Sequence, residues 1–208
     1  VSSIFASPST VSLLVICKAN ECRSVYAAER FRESSVFANF ETFSAGVGAF
    51  PGSPQCPESI TDSSIAHQSQ QVTSEDIQKA NLVLTMEREQ KSRIAELSPA
   101  ARSRTFTLTE AVHLSESLLE LHSAEDSEFK LQFPIGWENS SPRDRFIWLI
   151  SQLDEVRSFV EPGKWEVNDA HGVDAATHSE TLSKIQEQVN RINEVFMSHE
   201  LRLEIGSV

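Results

Sequence analysis

Cysteine is scarce in this chain. Cys17, Cys22 and Cys56 are all there is, and residues 57–208 contain none. An odd count leaves one thiol over in any pairing scheme, so free thiols in a reducing cytoplasm are a simpler reading than a disulfide framework. Basic side chains are outnumbered, 18 Lys and Arg against 30 Asp and Glu, for a formal net charge of -12. A surface that negative repels nucleic acid and anionic lipid at long range, which argues against both as partners. An anionic substrate must then be held by a local pocket that overrides the global field. Long apolar runs are missing: Leu13-Leu14-Val15-Ile16 falls far short of the roughly 20 residues that cross a bilayer. Val1 to Thr10 holds no basic residue and no long apolar stretch, so no secretory signal is expected there.

What remains is an ordinary globular composition, 39% hydrophobic and 23% charged, enough for a full core in a chain of 208 residues. Residues 1–10, rich in Ser, Thr and Pro, read as a loose arm, and 11–208 as a single domain. Val11 to Ile16 is an apolar run interrupted only by Ser12, expected for a strand buried on both faces. A helical pattern follows from Cys22 through Val25, Ala28 and Phe31. Phe40 to Ser44, Leu82 to Met86 and Thr105 to Leu108 read as three more strands. Ser74 is the expected cap of a short helix, and 87–97 a charged surface helix. Ser141-Pro142 is a cap with proline at the first helical position. The last helix carries Leu182, Ile185, Val189, Ile192 and Phe196 at spacings of three and four, a stripe expected to pack on the protein's own sheet. Residues 115–141 look polar and irregular, an exposed insertion. Alternating strands and helices imply an α/β fold with a parallel sheet.

The informative segment is Cys17-Lys18-Ala19-Asn20-Glu21-Cys22-Arg23-Ser24, between a buried strand and a helix. Ligands bind there in open α/β sheets, beyond the carboxyl end of a strand. Successive backbone N–H groups can converge on one anion, helped by the positive end of the helix dipole. Arg23, six residues after Cys17, can fold back and grip two phosphate oxygens in a bidentate fork. The same groups favour a thiolate at Cys17, below the unperturbed ~8.5, and Ser24 can donate a hydrogen bond to it.

This segment resembles the signature Cys-x-Gly-Asn-x-Cys-Arg-Ser of the low-molecular-weight protein tyrosine phosphatase family. Phe43-Ser44-Ala45-Gly46 is similar to the family's second strand. His67 and Leu82-Val83-Leu84-Thr85-Met86-Glu87 resemble the approach to its third strand and the strand itself, and Val167-Asn168-Asp169 its acid loop. The resemblance covers roughly residues 11–110 and 142–200. It implies a three-layer sandwich, a four-stranded parallel sheet flanked by helices on both faces. It also implies hydrolysis of phosphate monoesters, above all phosphotyrosine in proteins, through a cysteinyl-phosphate intermediate and without a cofactor. Inhibition by phosphate or vanadate and a monomeric state go with it.

By the same resemblance Cys17 is the nucleophile, Arg23 the phosphate ligand and Asp169 the acid, then base. Lys18, Ala19, Asn20, Glu21, Cys22 and Ser24 complete the phosphate loop, with Phe50 and His171 at the pocket rim. Asn20, Ser24, Ser44 and His67 form a supporting set, Asn20 in a left-handed conformation. Cys22 can trap Cys17 as a reversible disulfide, while Cys56 matches nothing and reads as incidental. No second histidine or carboxylate with metal spacing accompanies His67, so no metal site is expected.

Three departures stand out. Ala19 replaces the loop glycine, introducing about 1–2 kcal/mol of strain if that glycine has positive φ or permits close backbone approach. Ala170 replaces the proline after the acid, leaving that loop less preorganised, and His171 stands where relatives carry tyrosine. Lys18, on a wall commonly apolar, favours substrates with extra negative charge. Two other readings share the loop. One is a thiol-dependent arsenate reductase; its thioredoxin-coupled form is excluded by the missing cysteines. The other is a non-catalytic phosphate- or phosphotyrosine-binding module.

Overall fold

A computed structural model describes residues 10–62, 64, 66–170 and 172–197; the expected N-terminal arm lies outside these residues except for Thr10. Four strands, β1 (Ser12–Cys17), β2 (Glu41–Gly46), β3 (Leu82–Thr85) and β4 (Thr105–Thr107), form one sheet. Their order is β2-β1-β3-β4 and every pairing is parallel. Six α-helices cover it: α1 (Arg23–Glu33), α2 (Ser74–Lys79), α3 (Arg88–Leu97), α4 (Leu108–Ser123), α5 (Pro142–Val156) and α6 (Ala175–Met197).

The alternation of side chains along β1 divides the core in two. Leu13, Val15 and Cys17 join the apolar cluster made with α1, α4, α5 and α6. Leu14 and Ile16 join the cluster under α2 and α3, with Val72, Ile77, Val83 and Ile94. A strand that feeds both layers is apolar on both faces, as β1 is from Leu13 to Ile16; Ser12 at its start is buried with its hydroxyl donating to Lys79 O at 2.7 Å. Each fully buried aliphatic side chain contributes about 1.5–3 kcal/mol, so β1 is costly to alter. The larger layer is keyed by Phe37, whose ring lies edge-on to Phe31, Phe40, Phe146 and Phe196 at centroid distances of 4.9, 5.0, 6.0 and 5.7 Å.

The three-layer α/β sandwich is as expected, and several local readings shift. Thr73, not Ser74, caps α2: its hydroxyl accepts from Asp76 N while the Asp76 carboxylate accepts from Thr73 N. β2 extends through Ala45 and Gly46. Residues 115–123 belong to α4, so the segment read as an irregular insertion over 115–141 begins as a helix. Leu118, Phe129 and Leu131 from that segment are buried in the core. The stripe on α6 faces the same core, packed chiefly against α1 and α4 rather than laid directly on the strands.

The chain leaves β1 for β2 on one side and reaches β3 on the other. The carboxyl ends of β1 and β3 therefore flank the point where strand order reverses, and the Cys17–Ser24 segment opens there.

Candidate active site

Cys17 is the last residue of β1, and α1 begins at Arg23 with no side chain capping its first turn. Between them the backbone is held by its carbonyls. Cys17 O accepts from Val47 N at 3.1 Å, Lys18 O from Gly48 N at 2.9 Å and Glu21 O from Cys56 N at 2.7 Å. Asn20 O accepts from His67 Nε2 at 2.7 Å, which places the imidazole proton on Nε2. In a planar trans peptide the next N–H points opposite to the carbonyl. With four carbonyls drawn outward, the N–H groups of Lys18, Ala19, Glu21 and Cys22 turn inward. Together with the open first turn of α1 they make a cradle for an anion.

Asn20 organises the inside of the loop. It is the one non-glycine among the described residues with positive φ, at 57°. Its Oδ1 must be the acceptor because Gln70 N donates to it at 2.9 Å, so Nδ2 donates to Ser44 Oγ at 3.0 Å and Ser24 Oγ at 3.1 Å. Ser24, already accepting, is left to direct its own proton to Cys17 Sγ 3.0 Å away, and Asn20 N also donates to that sulfur at 3.2 Å. Asn20, Ser24, Ser44 and His67 thus meet around Cys17. Ala19 has no positive φ, so the strain expected there does not arise. The close approach falls instead on Gly46, where a Cβ would stand 2.5 Å from Lys18 O and 3.0 Å from Ala19 C. Gly46→Ala is expected to push the loop aside. A shift near 1 Å costs about 100-fold in turnover, to be read as kcat on p-nitrophenyl phosphate.

Arg23 is buried and committed to the far side of the site. Its Nη1 donates to Val167 O at 2.8 Å and lies 3.1 Å from Glu87 Oε1, while Nη2 lies 2.8 Å from Asp169 Oδ2. The fork expected to grip phosphate is therefore turned toward the acid loop, with Nη2 paired to Asp169. Glu87 was not singled out from the sequence. It caps α3, held there by Gln90 Nε2 on Oε2 at 2.6 Å, which leaves Oε1 aimed at Arg23. Its only sequence signal is its place after β3, at the reversal of strand order.

The acid loop is fastened by main-chain contacts: Val167 N donates to Met86 O at 2.8 Å, and Lys184 Nζ to Glu166 O at 2.7 Å. Val167 and Ala170 are buried, so the alanine that replaces proline is fixed by packing. Asp169 is 40% exposed and reaches the site through Arg23. Lys18 is exposed beside the loop and Phe50 is 78% exposed after it. His171 lies outside the described residues.

Cys56 is not as expected, and it shares a partner with Cys22. Both sulfurs lie against one nitrogen, His178 Nε2, at 3.2 and 3.3 Å. Burial first, then the nearby Cys56 thiol, pushes the Cys22 thiol far up; burial, then the Glu58 hydrogen bond, raises that of Cys56. Cys56 is thus part of a built cluster rather than incidental.

Residues 12–123 match the family model described as low molecular weight phosphotyrosine protein phosphatase. The chain belongs to this family. A probable low molecular weight protein-tyrosine-phosphatase, EpsP, of Ralstonia nicotianae is 34% identical over 106 residues, 48% of this chain and 71% of that protein. A protein-arginine-phosphatase of Geobacillus stearothermophilus is 36% identical over 105 residues, 48% of this chain and 70% of that protein. The tyrosine phosphatase Wzb of Escherichia coli K30, solved in complex with phosphate, superposes with a TM-score of 0.59. That structure has 19% identity and covers 89% of this chain and 97% of its own. As a member of the low-molecular-weight family the chain is a phosphatase. No helix among the described residues is long and apolar enough to cross a membrane.

Proposed function

We propose that this phosphatase acts on phosphorylated protein side chains, phosphotyrosine foremost, through a covalent phosphocysteine at Cys17. One observation carries the reading: the cradle of inward N–H groups closes directly over a sulfur that already accepts two hydrogen bonds. The phosphate seats on those N–H groups and on Arg23, whose Nη2 exchanges the Asp169 carboxylate for a phosphate oxygen. Cys17 Sγ then attacks phosphorus in line, forming the S–P bond as the P–O bond to the leaving group breaks. Released from Arg23, the Asp169 carboxylate takes up a proton from solvent and delivers it to the departing oxygen. Water attacks the phosphocysteine next, its proton passing to Asp169, and the S–P bond breaks to return the thiolate and free phosphate.

Phosphotyrosine is supported by the description of the family model and by the EpsP relative. The exposed ring of Phe50 suits packing on an aromatic leaving group. Phosphoarginine is the second reading. It is supported by the arginine-phosphatase relatives and by Glu21, a carboxylate within the loop that complements a guanidinium. Three free, buried thiols fit the reducing cytoplasm. The test is steady-state hydrolysis of a phosphotyrosine peptide and a phosphoarginine peptide of otherwise identical sequence. The expected result is a kcat/KM at least about tenfold higher on phosphotyrosine, a difference of about 1.4 kcal/mol. The reverse order assigns the enzyme to phosphoarginine, and turnover of neither peptide nor p-nitrophenyl phosphate removes the catalytic reading.

A further inference from the structure

Behind the phosphate loop, three chain segments far apart in sequence bring soft donors together. Cys22 comes from the loop, Cys56 from the connection between β2 and α2, and His178 from the first turn of α6. They are 7, 5 and 7% exposed, and their Sγ, Sγ and Nε2 atoms all lie within 4.8 Å of one another. None of these side chains takes part in phosphoryl transfer at Cys17.

The polar contacts of this cluster converge on one atom. Both sulfurs approach the same ring nitrogen, at 3.2 and 3.3 Å. A single imidazole nitrogen serves one sulfur at a time, while the Cys56 thiol has a second acceptor in Glu58 Oε2 at 3.0 Å. A cation in place of the thiol protons satisfies all three donors at once. Zn–S bonds of about 2.3 Å and Zn–N bonds of about 2.1 Å in a tetrahedron set donor spacings of about 3.8 Å for S···S and about 3.6 Å for S···N. The observed S···N spacings of 3.2 and 3.3 Å need to open by only a few tenths of an ångström, and all three donor atoms already lie within 4.8 Å of one another. Glu58 holds a carboxylate oxygen 3.0 Å from Cys56 Sγ and is at hand for the fourth position, which water can also fill. Two thiolates and an imidazole select zinc-class ions over magnesium or calcium.

We propose that Cys22, Cys56 and His178 form a zinc-class metal site that clasps the phosphate loop to the β2–α2 connection and to α6. Coordination replaces two S–H protons with metal–sulfur bonds and releases those protons to solvent. A ligated Cys22 sulfur is also withheld from disulfide formation with Cys17. The site does not depend on how Cys17 reacts, so it stands or falls separately from the hydrolytic reading.

The experiment is an anaerobic titration of the reduced, metal-stripped chain with Co2+, followed by displacement with Zn2+. The expected result is saturation at one equivalent, with a thiolate-to-cobalt charge-transfer band and the visible bands of tetrahedral cobalt, both erased by zinc. Cys56→Ser and His178→Gln should each weaken binding by more than about 100-fold, beyond what changes outside the ligand shell cost. Cys17→Ser should bind as the wild type does. Thermal unfolding checks that the variants fold. Should one fail, X-ray absorption on the zinc-loaded wild type must count two sulfurs and one imidazole. No tetrahedral band at one equivalent overturns the proposal. So does a band lost in Cys17→Ser yet kept in Cys56→Ser, or a different ligand count.

Discussion

Replacing Cys17 by serine is expected to lower kcat on p-nitrophenyl phosphate by at least about 10^4-fold, the scale on which enzymes lose activity with their nucleophile. The argument is local. Sulfur at position 17 accepts from Asn20 N and Ser24 Oγ, and serine can accept from both, so the loop keeps its shape. The cradle consists of main-chain N–H groups held by outward carbonyls, none of which involves the Cys17 side chain. Phosphate affinity should therefore stay within a few-fold of the wild type while turnover collapses. Only the capacity to attack phosphorus is removed, because a serine hydroxyl is a far weaker nucleophile than a thiolate. Titration calorimetry with inorganic phosphate, beside steady-state kinetics, separates the two. Activity within tenfold of the wild type would exclude Cys17 as the nucleophile.

Asp169→Asn should move affinity and turnover in opposite directions. Asp169 Oδ2 lies 2.8 Å from Arg23 Nη2 in the ligand-free chain, so it competes with an incoming phosphate for the same donor and repels its charge. An amide keeps the shape and lifts the repulsion. Phosphate inhibition should tighten about tenfold, equivalent to about 1.4 kcal/mol. Turnover should fall about 10^2 to 10^4-fold because the leaving group is no longer protonated. With an activated aryl phosphate the second step suffers more than the first, so a burst of nitrophenol should precede slow turnover. Unchanged phosphate affinity would show that the Arg23–Asp169 pair does not open on binding.

Much of this site could be read from the residues alone, and the parts that could not have two causes. β1 was plain because a strand buried on both faces carries an apolar run, here Leu13 to Ile16, and the loop was plain because Cys17, Arg23 and Ser24 follow directly from it. α4 was missed over 115–123 because Ser115, Glu116, Ser117 and Glu120 obscure the buried face that Leu114 and Leu118 provide. A signal was there in Thr107 and Glu110, which form a reciprocal cap at the start of that helix. Glu87 and His178 were unreadable in a different way. Glu87 meets Arg23 only because β1 and β3 are neighbours, and His178 lies 122 residues from Cys56. Spacing along a chain carries no trace of such meetings. Ala19 shows the converse: a substitution that looked strained has no positive φ, and the close backbone approach falls on Gly46 of the adjacent strand.

The cradle is fastened through its carbonyl oxygens, by amides of Val47, Gly48 and Cys56 and by the His67 ring. Side chains at 18, 19 and 21 take no part in that fastening, so their identity is decoupled from the geometry of anion capture. Those three sites are the natural place to redirect selectivity, by selection or in the laboratory, since variants there inherit an intact oxyanion receptor. Proline is the exception, because it deletes an N–H that the receptor uses.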